Sequence, residues 1–269
     1  LLACDESSPE PMILDLTPAV LLAFTAVMLL AGIINGVAGF GFALVGTMAL
    51  ASRIDPSTAV VFMIIPILSV NLSLARDLSA TDLRSCGRRF LPVFVTAALG
   101  TVLGMVVLEE VPAGPLRVGL GVVTLAFVAT SQTLITIPGV DWVKQRCFIE
   151  TRWVMGVIGA VSGLVFGGTN VGVQLIAYFK SQNLSHGLFV SVVAIVFLGL
   201  NGIRVVAAGV LGLYPSQTVV LASLAAAVPA VVGVVIGKRL QTAITETYRD
   251  RFVLVLLAGI GLRLLQVGL

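Results

Sequence analysis

The feature that most constrains this chain is a run of 37 consecutive uncharged residues between Asp15 and Arg53. A continuous helix of that length measures roughly 55 Å at about 1.5 Å per residue, whereas a bilayer core is about 30 Å thick. The run is too long for one straight span, and the glycine-rich segment Gly36–Gly41 interrupts its centre. The pattern predicts a helix over about Thr17–Asn35, a glycine turn, and a short helix over about Phe42–Ser52.

Composition extends this interpretation to the whole chain. Of the 269 residues, 58% are hydrophobic and only 11% are charged, whereas a soluble domain carries about 25% charged residues. The apolar stretches are much longer than the roughly 9–11 residues of a membrane β-strand, and they do not alternate. The sequence therefore predicts an all-α polytopic membrane protein with roughly eight to ten crossings. It excludes a soluble enzyme, a soluble nucleic-acid binder and a disordered chain.

The two halves of the chain contain similar segments in the same order. After the first glycine turn, spans are predicted at Pro56–Ala75, Phe90–Leu108 and Pro115–Ile137. The second half begins with a helix at Trp153–Val165, a turn at Phe166–Asn170 and a short helix at Val171–Phe179, followed by spans at Ser185–Ala208, Pro215–Gly237 and Phe252–Val267. A shift of 128 positions places Gly39 on Gly167 and Arg76 on Arg204. We interpret this order as an internal repeat.

Basic residues orient the spans, because Lys and Arg are enriched in cytoplasmic loops. Twelve of the sixteen fall in four places: after the third segment (Arg76, Arg84, Arg88, Arg89), in the central linker (Lys144, Arg146, Arg152), after the second turn (Lys180), and around the penultimate loop (Lys238, Arg239, Arg249, Arg251). All four are cytoplasmic only if each half has five segments and the halves are inverted. The alternative, eight spans in two parallel four-span repeats, places the Lys238–Arg251 loop outside.

The preferred fold is therefore two inverted five-segment repeats with glycine-tipped short helical hairpins. Its predicted divisions are an N-terminal tail at 1–16, membrane repeat 1 at 17–137, a cytoplasmic linker at 138–152 and membrane repeat 2 at 153–269. Inverted repeats with interrupted helices are common in secondary transporters, whose sites lie near the midplane where the interruptions meet.

The two glycine turns are candidate anion cradles. Each precedes a short helix whose first N–H groups have no helical partner and whose dipole places roughly half a positive charge there. Glycine lets the backbone approach a ligand, although it also serves close helix packing. The candidate substrate-binding residues are those of the turns together with nearby polar side chains: Gly36, Gly39, Phe40, Gly41, Asn71, Gly167, Gly168, Thr169, Asn170, Gln174, Asn201 and Arg204.

The polar members of this set have alternative explanations. Asn71 and Asn201 lie near the ends of corresponding spans, where each can contact substrate or bond a neighbouring helix. Arg204 lies in an uncharged stretch, and a buried arginine is costly enough to be a functional candidate, unless it extends to the outer interface. Arg76, its counterpart, is expected at the cytoplasmic surface.

Neither a bound cofactor nor a metal is expected. The three cysteines are far apart, and His186 is the only histidine. Catalytic motifs such as G-x-S-x-G and H-E-x-x-H are absent, so an intramembrane hydrolase is not expected. All thirteen acidic residues fall in predicted tails, loops or span ends, so no carboxylate remains at the midplane for a proton relay.

These features resemble the sulfite exporter TauE/SafE family, also called the TSUP permeases. The resemblance rests on the glycine turn and short helix at Gly36–Met48 and on its second copy at Gly163–Tyr178. The loops Ile54–Ser57 and Asn183–His186, and the Arg-rich loop after Arg76, fit the family as well. The first turn departs from a run of glycines at Ala38 and Phe40, and the second carries Thr169-Asn170, so the substrate stays open.

The resemblance implies a non-enzymatic secondary transporter in a bacterial inner membrane. Its substrate would be sulfite, an organosulfonate or a related small oxyanion, with export the expected direction. Its partners would be that anion and the lipid bilayer, without nucleic acid, and the oligomeric state is open. The alternative function is a non-transporting membrane scaffold or assembly subunit, which needs no polar midplane pocket.

Overall fold

The chain is all-helical throughout the part that a computed structural model describes, which is residues 18–39, 41–75, 80–131, 152–181, 186–241 and 246–269. The helices of the first half are α1 (Pro18–Ala38), α2 (Phe42–Ala51), α3 (Pro56–Phe62), α4 (Ile64–Ala75), α5 (Ala80–Glu110) and α6 (Ala113–Ser131). Those of the second half are α7 (Arg152–Thr169), α8 (Val173–Ser181), α9 (His186–Val210), α10 (Gln217–Leu240) and α11 (Glu246–Gly268). The described residues contain no β-strand.

The helical pattern confirms a multi-pass membrane protein. Four segments of the described residues are long and apolar enough to cross a membrane: Pro56–Ala75, Phe90–Leu108, Val192–Val210 and Gln217–Leu240. Large apolar side chains also lie on the outside, with Leu22 73% and Trp153 84% exposed. An apolar exterior suits lipid rather than water. The predicted tail at 1–16 and the linker at 138–151 lie outside the described residues.

One predicted span is two helices. The segment Pro56–Ala75 breaks at Met63, between α3 and α4. Pro66 has no N–H, so it cannot donate to the Phe62 carbonyl four residues earlier. That carbonyl instead accepts a hydrogen bond of 2.5 Å from the Ser223 hydroxyl on α10. The break therefore exposes backbone acceptors that other helices use.

Glycines hold two pairs of helices at very short separation. Between α1 and α10, a Cβ on Gly36 would lie 2.3 Å from the Val234 carbonyl oxygen, and one on Gly237 would lie 2.2 Å from the Ile33 oxygen. Between α5 and α7, a Cβ on Gly167 would lie 2.1 Å from the Thr101 oxygen. Only glycine permits such backbone contact. The hairpin helices α1 and α7 are thus each packed against a helix of the other half.

The contact registers give the relative directions of the helices. Gly32 lies against Ala230 and Gly36 against Val234, so α1 and α10 run parallel. Contacts of Gly100 with Ala160 and of Gly104 with Leu164 make α5 and α7 parallel too. In contrast, α6 and α11 are antiparallel, because Gly114 meets Gly268 whereas Gly121 meets Gly261.

Asp55 caps α3 and gives the fold a dependence on pH. Burial raises the pKa of its carboxyl, but hydrogen bonds from the Ser57 hydroxyl and the Thr58 amide outweigh burial, so the pKa lies below its ordinary value. A depressed pKa means that the cap stabilises the fold above the unfolded-state pKa and is lost as pH falls through the folded-state pKa.

We expect Asp55→Ala to cost about 1 kcal/mol at neutral pH and much less at an acid pH below the folded-state pKa. Thermal unfolding of the detergent-purified protein at both pH values measures this difference. Ser216→Ala is the matched control, because Ser216 caps α10 through an uncharged hydroxyl that accepts from the Val219 amide. An equal loss for Asp55→Ala at both pH values would contradict the assignment.

Candidate functional site: two hairpin tips around a cavity

The first hairpin tip is built from a break between α1 and α2. Gly39 and Gly41 have φ angles of 80° and 106°, a conformation that residues with a Cβ rarely adopt. Asn35 reaches across the turn, and its side-chain oxygen accepts a hydrogen bond of 3.1 Å from the Phe42 amide. The helical ladder starts at Val45, whose N–H donates to the Gly41 carbonyl. The amides of Ala43 and Leu44 precede this ladder, and neither has an acceptor among the described residues.

The second hairpin tip has the same plan with different residues. Asn170 has a φ of 61°, and its amide donates to the Phe166 carbonyl at 2.9 Å. Gly39 makes the same bond to Asn35 in the first hairpin, at 2.7 Å. Asparagine is among the few residues other than glycine that tolerate this left-handed conformation. Thr169 supports the turn, because its hydroxyl accepts from the Val171 amide at 3.1 Å.

These bonds correct the predicted register and the extent of both turns. Gly39 corresponds to Asn170, a shift of 131 rather than the predicted 128 that paired it with Gly167. The helices also continue further than predicted, to Ala38 and Thr169. Gly36, Gly167 and Gly168 consequently lie inside helices rather than in the turns. Their lack of a side chain permits helix packing there, which the sequence pattern alone did not distinguish from a ligand cradle.

Both tips line one cavity of about 50 Å³, together with parts of α4 and α9. By the usual requirement of roughly 10–15 Å³ for one water, this holds a group of a few heavy atoms. Most of the wall is apolar, and its polar side chains are Asn35, Asn71 and Asn170. None of the described lining residues is charged.

The asparagine side chains that line the cavity differ in how many of their hydrogen-bonding groups have partners. Asn35 uses its oxygen for the Phe42 amide, and no other hydrogen bond of its side chain occurs within the described residues. Asn71, on α4, is partly buried and has no hydrogen-bond partner within those residues. Beside them, Phe42, Ala43 and Leu44 bring the start of α2 to the wall. The cavity thus offers unoccupied N–H donors from two side chains and one helix start.

Asn170 also lines the cavity, and both the nitrogen and the oxygen of its side chain have hydrogen-bond partners. Its side-chain nitrogen donates to the Thr47 hydroxyl at 2.8 Å and to the Val60 carbonyl at 2.9 Å. Its side-chain oxygen accepts from the Arg204 guanidinium. The Val60 carbonyl is available because α3 ends two residues later. Asn170 therefore ties the second hairpin to α2, α3 and α9.

Arg204 bonds to Asn170, which lines the cavity, but Arg204 is not itself a lining residue. It is 0% exposed, so it does not extend to a membrane interface. Its Nη2 donates to the Gly167 carbonyl at 3.2 Å, and its Cζ lies 4.9 Å from the centre of the Phe166 ring. Asn201, also 0% exposed, donates to the Phe197 carbonyl at 2.8 Å and offers its oxygen to Arg204 at 3.4 Å.

The predicted site residues thus divide into three groups. Gly39, Gly41, Asn71 and Asn170 line the cavity. Gly36, Gly167, Gly168, Thr169, Gln174, Asn201 and Arg204 are not among its lining residues. Of these, Gln174 has a buried side-chain oxygen without a partner within the described part of the chain. Phe40 lies outside the described residues, so its predicted role stays a prediction.

Two residues of the site were missed by the sequence analysis. Asn35 could have been found, because it is the last polar side chain before the first glycine turn in an apolar helix. Thr47 gave little signal, since a threonine in an apolar helix commonly bonds to its own backbone.

Fold and cavity together define the class: a multi-pass helical membrane protein with a mostly apolar cavity, lined by three asparagine side chains, where two interrupted helices meet. The chain belongs to the TauE/SafE sulfite exporter family, because the family model described as "Sulfite exporter TauE/SafE" matches residues 24–264. This match confirms the resemblance inferred from the glycine turns, and the members of this family are membrane transporters. Searches of curated proteins and of solved structures gave no significant match.

Proposed function

We propose that this protein is a secondary transporter that moves a small oxyanion, such as sulfite or an organosulfonate, out of the cell across a bacterial inner membrane. The observation that carries the proposal is the cavity between the hairpin tips, with unoccupied donors from Asn35, Asn71 and the start of α2. An oxyanion has only acceptor atoms, so a wall that presents free N–H groups matches it. Family membership supports the substrate class.

The charges around the cavity favour an anion over a cation. No carboxylate occurs among the described lining residues. The α2 dipole points its positive end at the cavity. The same helix dipole would repel a cation. The proposed ligand therefore has negative charge and a size of a few heavy atoms.

The helix directions support inverted repeats as the framework for this transport. Helices α6 and α11 occupy corresponding places in the two halves, and they run antiparallel. The pair α1–α10 also has a counterpart in the pair α7–α5. Parallel repeats would give corresponding helices the same direction. Together with the basic loops, this arrangement supports a cytoplasmic position for the α4 end at Ala75, and we propose that Asn71 lies on that side.

The membrane potential is sufficient to drive export. An anion that leaves a cell with a negative interior gains about 2.3 kcal/mol per charge for each 100 mV, or roughly a fiftyfold gradient. No carboxylate lines the described cavity as a proton relay. We therefore propose potential-driven export without an obligatory proton relay in the protein. A cation bound by hairpin carbonyls, or a proton carried by the substrate, is the competing explanation.

We expect Asn71→Leu to weaken oxyanion binding by at least tenfold, because leucine has a similar size but no donor. Equilibrium binding of radiolabelled sulfite to the purified protein measures this loss. The matched control is Ser69→Ala on the same helix, since the Ser69 hydroxyl donates to the Ile65 carbonyl at 3.0 Å and Ser69 is not among the residues that line the cavity. Wild-type affinity in Asn71→Leu would contradict the assignment of the cavity.

A further inference from the structure

Arg204 carries a buried charge that nothing in the described part of the chain neutralises. Its hydrogen-bond acceptors are the side-chain oxygens of Asn170 and Asn201 and the Gly167 carbonyl, all of them neutral. Its Nε is buried and has no partner there. An unpaired buried cation is strongly unfavourable, and inside a membrane such a residue usually serves a ligand or ion path.

A second unoccupied group lies nearby. The Tyr214 hydroxyl is buried without a hydrogen-bond partner among the described residues. Tyr214 follows α9 on the link to α10, where the preceding Leu213 amide donates to the Ala208 carbonyl at 3.0 Å. Ala208 lies one helical turn beyond Arg204, so the link returns Tyr214 to the end of α9 nearest the guanidinium, and the two groups interact electrostatically. A free guanidinium N–H and a free phenol O–H are both donors, so together they suit an oxyanion.

Arg204 and Tyr214 lie further along the chain than the α9 residues that line the cavity. The cavity contacts α9 at Val193, Ala194 and Phe197. Arg204 follows Phe197 by seven residues, which is roughly 10 Å along a helix. Tyr214 lies beyond the end of α9 at Val210. The sequence of positions is thus cavity, Asn170, Arg204 and Tyr214, in the direction of the outer side.

We propose that Arg204 and Tyr214 form a second oxyanion site, on the outer side of Asn170, which the transported anion occupies after it leaves the cavity. The Asn170 side-chain oxygen accepts a hydrogen bond from the Arg204 guanidinium that an anion oxygen would accept in the second site. When the second hairpin tip withdraws, Asn170 leaves Arg204 and the anion takes its position. This inference rests on the proposed function and adds a second binding position to it.

The first test separates binding in the cavity from passage to the second site. We expect Arg204→Gln to bind radiolabelled sulfite within about threefold of wild type but to lose at least 95% of proteoliposome flux. Arg204→Lys should keep part of the flux, because lysine retains the charge without the planar fork. Wild-type flux in Arg204→Gln overturns the proposal, and so does a loss of binding as large as that of Asn71→Leu in a protein that elutes as a monodisperse peak.

The second test does not depend on how well Arg204 variants fold. Tyr214→Cys is placed in a background with Cys4, Cys86 and Cys147 changed to serine, and a maleimide is applied from outside. Methanesulfonate is the probe, since sulfite itself reacts with maleimides. We expect saturating methanesulfonate to slow labelling at position 214 at least fivefold. Unchanged labelling at a concentration that saturates flux overturns the second site.

The two proposals fail in different ways. If wild type neither binds nor moves any oxyanion, the proposed function fails and the second site fails with it. If wild-type binding and flux depend on Asn71 but labelling at position 214 ignores methanesulfonate, only the second site fails.

Discussion

Gly167→Ala is expected to yield less than a tenth of the wild-type amount of folded protein, although it adds a single methyl group. That methyl would lie 2.1 Å from the Thr101 carbonyl oxygen and 2.9 Å from its carbon, so α5 and α7 must separate. Overpacking of this kind costs typically 1–3 kcal/mol, and more where backbone must move, as an order of magnitude. Gly36→Ala should do the same at the α1–α10 contact, where the added atom meets the Val234 oxygen at 2.3 Å.

The matched controls are alanine substitutions at two other helical glycines. A Cβ on Gly119 or on Gly202 has nothing within 4 Å. We expect both variants to match wild type in monodisperse yield and in melting temperature, measured by size-exclusion chromatography and thermal unfolding in detergent. Equal yields for all four alanine variants would show that the close helix contacts are not needed for folding.

The second large effect is expected at Gly41, on transport rather than on folding. Gly41 has a φ of 106° and lines the cavity at the start of α2. A Cβ there meets only the Ile34 side chain, at 3.9 Å, so steric exclusion within the fold is small. Valine would nonetheless strain the turn by about 1–3 kcal/mol and block the approach of an anion to the helix start. We expect Gly41→Val to insert and purify normally but to retain less than 5% of oxyanion flux.

Gly212→Val is the control for backbone strain alone. Gly212 also has a positive φ, 68°, and a Cβ there has nothing within 4 Å. It lies on the α9–α10 link and is not a lining residue of the cavity. Its flux per folded molecule should therefore stay near wild type. Similar flux in the two variants would mean that the first hairpin tip is not part of the transport path.

Much of this fold could be predicted from charge and glycine spacing. The uncharged run before Arg53 exceeds a membrane thickness and contains glycines at its centre, which leaves a hairpin as the simplest solution. The span predicted at Phe90–Leu108 coincides with the apolar part of α5, although the helix itself runs from Ala80 to Glu110. Asn71 was also identified, because a polar side chain in an apolar span needs a partner or a ligand.

Other features depended on tertiary contacts that sequence does not specify. Gly36 and Gly39 look alike in the sequence, but one packs against α10 and the other turns the chain. Pro66 leaves the Phe62 carbonyl without a helical donor, but its actual donor is Ser223, which is 161 positions further along the chain. For Arg204, the sequence indicated only an unusual charge. Its place behind Asn170 follows from the second hairpin tip folding against α9.

The most direct test of the central claim is oxyanion flux into or out of proteoliposomes, measured first under an imposed potential alone and then under a pH gradient or a sodium gradient alone. Radiolabelled sulfite and a taurine-like sulfonate are the substrates, and protein-free liposomes are the control. We predict saturable flux of at least one anion toward the positive side, in proportion to the potential and abolished by Gly41→Val. Flux that stays at the protein-free level under potential, proton and sodium gradients alike would contradict transport and favour a membrane scaffold. Flux that ignores the potential but follows a proton or sodium gradient would contradict potential-driven export.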